Sequence, residues 1–234
     1  MPRPNPNPRK PPYSSKLAIA HLTAADPVLG DLIARAGPFT LKLASTQSPF
    51  EALLESIVYQ QLHGKAAATI HAKLLASFNQ EGAEPAHPSP QHILDCPNDQ
   101  LRAAGLSHNK ALSVRDLAAK TLDGTVPTLA RIRRMTDQAI ITHLTQVRGI
   151  GEWTVQMFLI FRLGRPNVLP TNDYGVRKGF ALTFQNLSPT KKVTPTDLPK
   201  PAEMEQRAIP WHPWCSVAAW YLWRACDLAT KPAP

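Results

Sequence analysis

Cysteine is scarce, with three residues at 96, 215 and 226 in a chain of 234. Three thiols are too few for a disulfide framework, and their spacing gives neither the CxxC pair of a zinc site nor the four thiolates of an iron–sulfur cluster. No run approaches the roughly 18 consecutive apolar residues that a membrane helix needs. The N-terminal Met-Pro-Arg-Pro-Asn-Pro has a basic residue but no apolar segment behind it, so neither membrane insertion nor secretion is expected. There is no self-similarity at periods of roughly 20–50 residues, which excludes a solenoid, and no convincing run of alternating strand pattern. Acid is also in short supply: 17 Asp and Glu stand against 26 Lys and Arg, a net charge of +9. That balance favours a polyanionic partner, nucleic acid first.

Residues 1–12 hold six prolines and three basic residues without an acid, which reads as a disordered, polyproline-like tail. Residues 13–234 are expected to form one helical domain. Helical periodicity begins near Ser14, breaks at Asp26-Pro27 and resumes to Gly37-Pro38, predicting two short helices. Leu41-Lys42-Leu43 alternates weakly and could be a short extended piece. Ser48-Pro49 with Glu51 predicts a capping box opening a longer helix. Further helical windows cover 65–78, 90–95, 98–104, 109–120, 128–134 and 136–146, so the fold class is all-α.

The most informative stretch is Leu144 to Phe161, in which one helix ends, Gly149-Ile150-Gly151 turns sharply and another helix begins at about Trp153. Glycines on either side of one apolar residue let the backbone turn and bring N–H groups to a phosphate without a Cβ in the way, with Ile150 plugging the turn into the core. Past the second helix, a Gly/Pro-rich loop leads to Asp173 at the start of a further predicted helix. Taken alone, such an Asp is an N-cap.

Hairpin, helix, Gly/Pro loop and Asp together resemble the helix-hairpin-helix DNA glycosylase superfamily, in particular the alkyladenine (N3-methyladenine) type of bacteria and yeasts. The resemblance covers nearly all of the chain after the tail. It implies a two-lobed all-α fold with the active-site cleft between lobes, acting as a monomer on duplex DNA that contains alkylated bases. The compartment implied is the cytoplasm, beside the nucleoid, or the nucleus of a eukaryote. Asp173 takes the family's catalytic position, where a carboxylate stabilises the oxocarbenium character that develops as a base–sugar bond breaks. Relatives that also cleave the strand carry a lysine where this chain has Trp153, and no lysine occurs between Lys120 and Lys178. The resemblance therefore implies monofunctional hydrolysis. A non-enzymatic DNA binder and a combined glycosylase and lyase are the alternatives. Asp173 speaks against the first, because a carboxylate beside phosphates repels them, and Trp153 against the second.

The same resemblance assigns a base pocket to Trp153, Tyr59, Met157, Tyr174 and Trp214, whose aromatic faces would stack on a cationic purine. Met157 stands where some relatives have tyrosine, which leaves the lesion range open. The Tyr59-Gln-Gln-Leu-His-Gly-Lys65 junction resembles the family's minor-groove reading loop. There either Gln61 or Leu62 is the wedge that fills the gap left by a flipped nucleotide, with His63 and Lys65 beside it. Arg148, Gly149, Gly151, Thr154, Arg177 and Lys178 complete the expected DNA contacts. Gly105-Leu-Ser to Lys110 reads as a helix junction with Lys110 facing a phosphate. In the last helix, Trp220 and Trp223 are expected in the core. No cofactor is expected beyond a structural Na+ or K+ ion at the hairpin carbonyls of Thr145, Val147 and Ile150.

Overall fold

The computed structural model describes residues 9–45, 48–78 and 87–230. Among these the chain is helical, and the only extended pairing is an isolated antiparallel bridge between Arg9 and Leu43. The weakly alternating Leu41–Leu43 piece is thus a single bridge. Residues 1–8 of the expected tail lie outside the described residues. Arg9–Pro12 are placed, and the Arg9 carbonyl accepts Leu43 N–H at 2.8 Å, so the placed chain begins a few residues before position 13. No helix among the described residues is long and apolar enough to cross a membrane.

The described residues divide into two compact units, one within Ala44–Phe158 and the other formed by Arg9–Leu43 with residues 159–230. The first holds α3 (Pro49–Tyr59), α4 (Gly64–Ala76), α5 (Pro90–Asp95), α6 (Asn98–Ala103), α7 (His108–Leu122), α8 (Leu129–Ile132), α9 (Asp137–Leu144) and α10 (Glu152–Phe158). The second holds α1 (Ser15–Ala25), α2 (Pro27–Ala36), a π-helical turn (Leu159–Leu163), α11 (Tyr174–Phe184), α12 (Pro201–Ala208) and α13 (Cys215–Thr230).

Caps explain where several helices begin. Ser14, Asp26, Ser48, Ser89, Ser107, Thr128 and Thr136 each accept a backbone N–H two or three residues into their helices. In the first unit α7 is the central element, packing on α3, α5 and α6, while Leu53, Leu54, Ile57, Val114 and Leu117 are fully buried. In the second unit α11 packs against α13. Gly179 makes that approach possible: a Cβ at this position would sit 1.9 Å from the Leu222 carbonyl oxygen, so only glycine allows the two backbones this close. A polar knot ties α2 to the C-terminal half of the same unit. Buried Asp26 caps α2 through Leu29 N–H at 3.2 Å, pairs with Arg207 through two bonds at 3.0 and 3.1 Å, and accepts Trp211 Nε1–H at 3.0 Å.

Candidate active site

In the first unit the hairpin is built as the sequence suggests. α9 ends at Leu144 and α10 begins at Glu152. Between them Gly149 adopts φ +77°, a left-handed conformation, and Ile150 is buried at 4% exposure. Gly149 also lies against α7, since a Cβ there would fall 2.9 Å from Ser113 Oγ. At Gly151 a Cβ would meet nothing within 4 Å, so no internal contact requires glycine and the open side faces outward. α7 anchors the turn. Asp116 Oδ2 accepts the Arg148 N–H at 2.6 Å and Lys120 Nζ at 2.8 Å, and Lys120 also donates to the Gln146 carbonyl. The Arg148 guanidinium reaches Asn109 Oδ1 at 3.3 Å on an exposed surface.

On α10 the helical period separates two expected site residues. Trp153 is 46% exposed, whereas Thr154 is buried at 7% and points inward with Val155 and Phe158. Only the backbone at Thr154, not its buried side chain, is therefore placed for the DNA contact expected there. Met157 is half-buried. Tyr59 ends α3 with its ring edge-on to His71, centroids 6.1 Å apart, and its hydroxyl is buried.

The reading loop spans 60–63 between α3 and α4. Gln60 leaves the helix in an extended conformation, and Gln61 takes φ +56°. A left-handed glutamine is uncommon and costs on the order of 1 kcal/mol or more. Leu62 is 40% exposed, and Gln61, His63 and Lys65 are exposed beside it. The Gln60 side-chain amide donates to the Gly149 carbonyl at 2.9 Å, which joins loop and hairpin. Lys110, expected to face a phosphate, instead donates to the carbonyls of Val58 at 2.7 Å and Gln60 at 2.8 Å. The cause is the unpaired carbonyl end of α3, which attracts a cation.

In the second unit Asp173 is buried at 9% exposure and caps α11. Its Oδ1 accepts Val176 N–H at 2.8 Å and the Trp223 indole N–H at 2.8 Å. Trp223 was expected in the core; it is half-buried and belongs to the aspartate's surroundings, because α13 brings its face against Gly175. Phe161 lies beside the Trp223 ring, with centroids 5.5 Å apart. Tyr174, the next residue after Asp173, is 56% exposed. Trp214 is half-buried and meets the Tyr13 ring at 5.7 Å. Trp220 is buried, as expected. Arg177 donates through Nε to the Pro199 carbonyl at 3.0 Å, and Lys178 is half-buried on the same helix. Cys226 Sγ lies 3.3 Å from the Gly175 carbonyl, and burial raises its thiol pKa.

Cys215 is 1% exposed and its Sγ lies 3.8 Å from His212 Nδ1, yet burial pushes the thiol up to about 12. A thiol this strongly protonated is a packing residue. Among the described residues no group of three or more His, Cys, Asp or Glu side chains is arranged to hold a metal ion.

The chain belongs to the HhH-GPD superfamily of base excision DNA repair proteins, which matches residues 54–204. Within it, the chain is 36% identical over 188 residues to DNA-3-methyladenine glycosylase 1 of Schizosaccharomyces pombe, covering 80% of this chain and 77% of that protein. The structure is similar to that of the fission-yeast 3-methyladenine DNA glycosylase (Mag1) in complex with abasic DNA, with a TM-score of 0.75 and 30% identity over 93% of this chain and 100% of that one. It is equally similar to the DNA-3-methyladenine glycosidase of Bacillus halodurans, with a TM-score of 0.75 and 27% identity over 93% of this chain and 91% of that one.

Proposed function

We propose that the protein is a monofunctional DNA glycosylase that flips an alkylated purine out of duplex DNA and hydrolyses its N-glycosidic bond. The observation that carries this reading is Asp173, a buried carboxylate fixed through Oδ1 by Val176 and Trp223, at the place the sequence resemblance assigns to catalysis. Two hydrogen bonds and the positive end of α11 keep it oriented, so it needs no reorganisation as charge develops on the sugar. An N3- or N7-alkylated purine carries a positive charge and leaves with the electron pair of the C1′–N bond, becoming neutral without a general acid. Water then forms the new C1′–O bond and loses a proton. Trp153, exposed on the first unit, is assigned as an aromatic face for a cationic base, and Tyr174, exposed on the second, is assigned to the base pocket on its own unit. Gly149, Gly151 and Arg148 are assigned to backbone phosphates, with Gln61, Leu62, His63 and Lys65 entering the minor groove. Arg177 and Lys178 add positive charge beside Asp173.

This reading also takes the chain to act as a monomer on DNA in the cytoplasm or nucleus. Carbonyls of Thr145, Val147 and Ile150 are assigned to a Na+ or K+ ion. The Val147 oxygen accepts Ile150 N–H at 3.0 Å and keeps a second lone pair for such a ligand. The ion's role would be to stiffen the hairpin. Asp173→Asn tests the central claim. It should abolish release of N7-methylguanine from a duplex while leaving binding to an abasic-site duplex nearly intact, and full release by the variant rejects the assignment. With wild type, borohydride should trap no covalent adduct, since Trp153 stands where a lyase needs an amine.

A further inference from the structure

We infer that Lys110 is a positioning residue: together with the Gln60 side chain it fastens the reading loop to the hairpin, so that Gln61 and Leu62 enter the duplex in one fixed geometry. This rests on the glycosylase reading above. The observations lie within the first unit. The Lys110 ammonium, half-buried on the first turn of α7, bridges the Val58 and Gln60 carbonyls at the C-terminal end of α3. Gln60 is held a second time, by its own amide on Gly149 at 2.9 Å. The next residue, Gln61, sits in the left-handed region at φ +56°, and such a conformation persists only where its neighbours enforce it. One turn further along α7, Ser113 is in contact range of Gly149, and Asp116 takes the Arg148 N–H. One face of α7 thereby grips both the wedge loop and the hairpin.

The tether has a definite purpose in nucleotide extrusion. Opening a paired nucleotide costs a few kcal/mol, and a wedge offsets that cost only if it does not itself yield. A wedge on a loose loop would retreat under the same load. Two charge-assisted bonds from an ammonium to helix-end carbonyls are strong, directional anchors, and the cation is matched to the negative end of α3. Lys110 therefore acts through the loop and touches no nucleotide.

The test compares wild type with Lys110→Met, Lys110→Arg and Gln60→Ala. Single-turnover release is measured from two duplexes with one N7-methylguanine, either paired with cytosine or opposite a mismatched base. Lys110→Met removes both charge-assisted bonds and should lose roughly tenfold or more on the paired duplex and much less on the mismatched one. Binding of undamaged duplex, and its dependence on salt, should not change. Lys110→Arg should recover most of the paired-duplex rate, because a guanidinium also donates to two carbonyls. Gln60→Ala should reproduce the Lys110→Met pattern by releasing the other tether, and amide exchange at 61–65 should accelerate in both. Equal losses on the two duplexes, or unchanged exchange, overturn the inference. A fall of about one in the salt slope also overturns it, because that is the signature of a lost phosphate contact. If wild type itself releases no base, the glycosylase reading fails, and the exchange comparison still decides whether Lys110 holds the loop.

Discussion

The Trp223 indole N–H donates to Asp173 Oδ1 at 2.8 Å, across 50 residues of sequence and between two helices of the same unit. Together with Val176 N–H it fixes the oxygen of the carboxylate assigned to the sugar cation. Trp223→Phe keeps an aromatic ring and removes the donor. Base release from a methylated duplex should fall about tenfold or more, as expected for one hydrogen bond to a charged group. Affinity for an abasic-site duplex should stay as in wild type, and an unchanged release rate would show that Val176 and the helix end hold Asp173 unaided.

Two glycine substitutions should act in opposite ways. At Gly179 an added methyl would lie 1.9 Å from the Leu222 carbonyl oxygen, so α11 and α13 must separate and carry Asp173 away from Trp223. Gly179→Ala should cost about 2 kcal/mol or more of stability, as overpacking does, and release should fall with it. At Gly151 the methyl meets nothing, so Gly151→Ala should leave stability within about 0.5 kcal/mol and weaken DNA binding. Urea unfolding beside a binding titration separates the two. Equal stability losses would refute the outward orientation of Gly151.

Local signals were legible in the sequence, and long-range pairs were not. Asp26-Pro27 and Ser48-Pro49 are helix starts because a side-chain acceptor and a ring-fixed φ act within one turn, and both caps are present. Gly149-Ile150-Gly151 was readable for the same reason. Lys110 and Val58 are 52 residues apart and Asp26 and Arg207 are 181 apart, and no spacing rule connects such partners. Lys110 read as a phosphate ligand because charge alone says that a cation wants an anion. The structure supplies the helix-end carbonyls of α3 instead. Thr154 follows Trp153 directly, and only the phase of α10 puts one inside and the other outside.

Asp26 holds the second unit together from a buried position. Its carboxylate accepts from Leu29 N–H, Arg207 and Trp211 Nε1 at once, and Arg207 also lies 3.9 Å over the Phe184 ring. Asp26→Ala leaves the buried Trp211 N–H without its partner and Arg207 without its anion. Since Arg207 is 38% exposed, water relieves part of that loss, and about 2–3 kcal/mol of destabilisation is expected. Arg207→Met should also be costly, because it leaves the buried Asp26 carboxylate without its counterion and held only by the Leu29 and Trp211 N–H groups. Unchanged thermal unfolding in Arg207→Met would contradict this account.

Alkali should destabilise the protein through groups held protonated by burial. Cys215 is raised from 9.0 to about 12, and Tyr13 and Tyr221 from 10.0 to about 12. Each folded pKa exceeds its unfolded value, so above about pH 9 the native state keeps protons that the unfolded chain sheds. The unfolded state then binds fewer protons, and the stability that is fully present below pH 9 is lost as pH rises toward 12. In the unfolded chain cysteine begins to lose its proton first, so the initial part of the decline belongs to Cys215 together with Cys96 and Cys226, whose thiols burial also raises, and the tyrosines steepen it above about pH 10. Cys215→Ala should lessen the fall in unfolding free energy from about pH 9 onward, most visibly between about pH 9 and 10 before the tyrosines contribute. Tyr221→Phe should lessen only the later fall, with a pH-independent loss from its 3.2 Å bond to the Gly37 carbonyl. Urea unfolding at successive pH values provides the curves. An unchanged early slope in Cys215→Ala would mean that the thiol titrates freely in the folded protein, and iodoacetamide should then label it under native conditions.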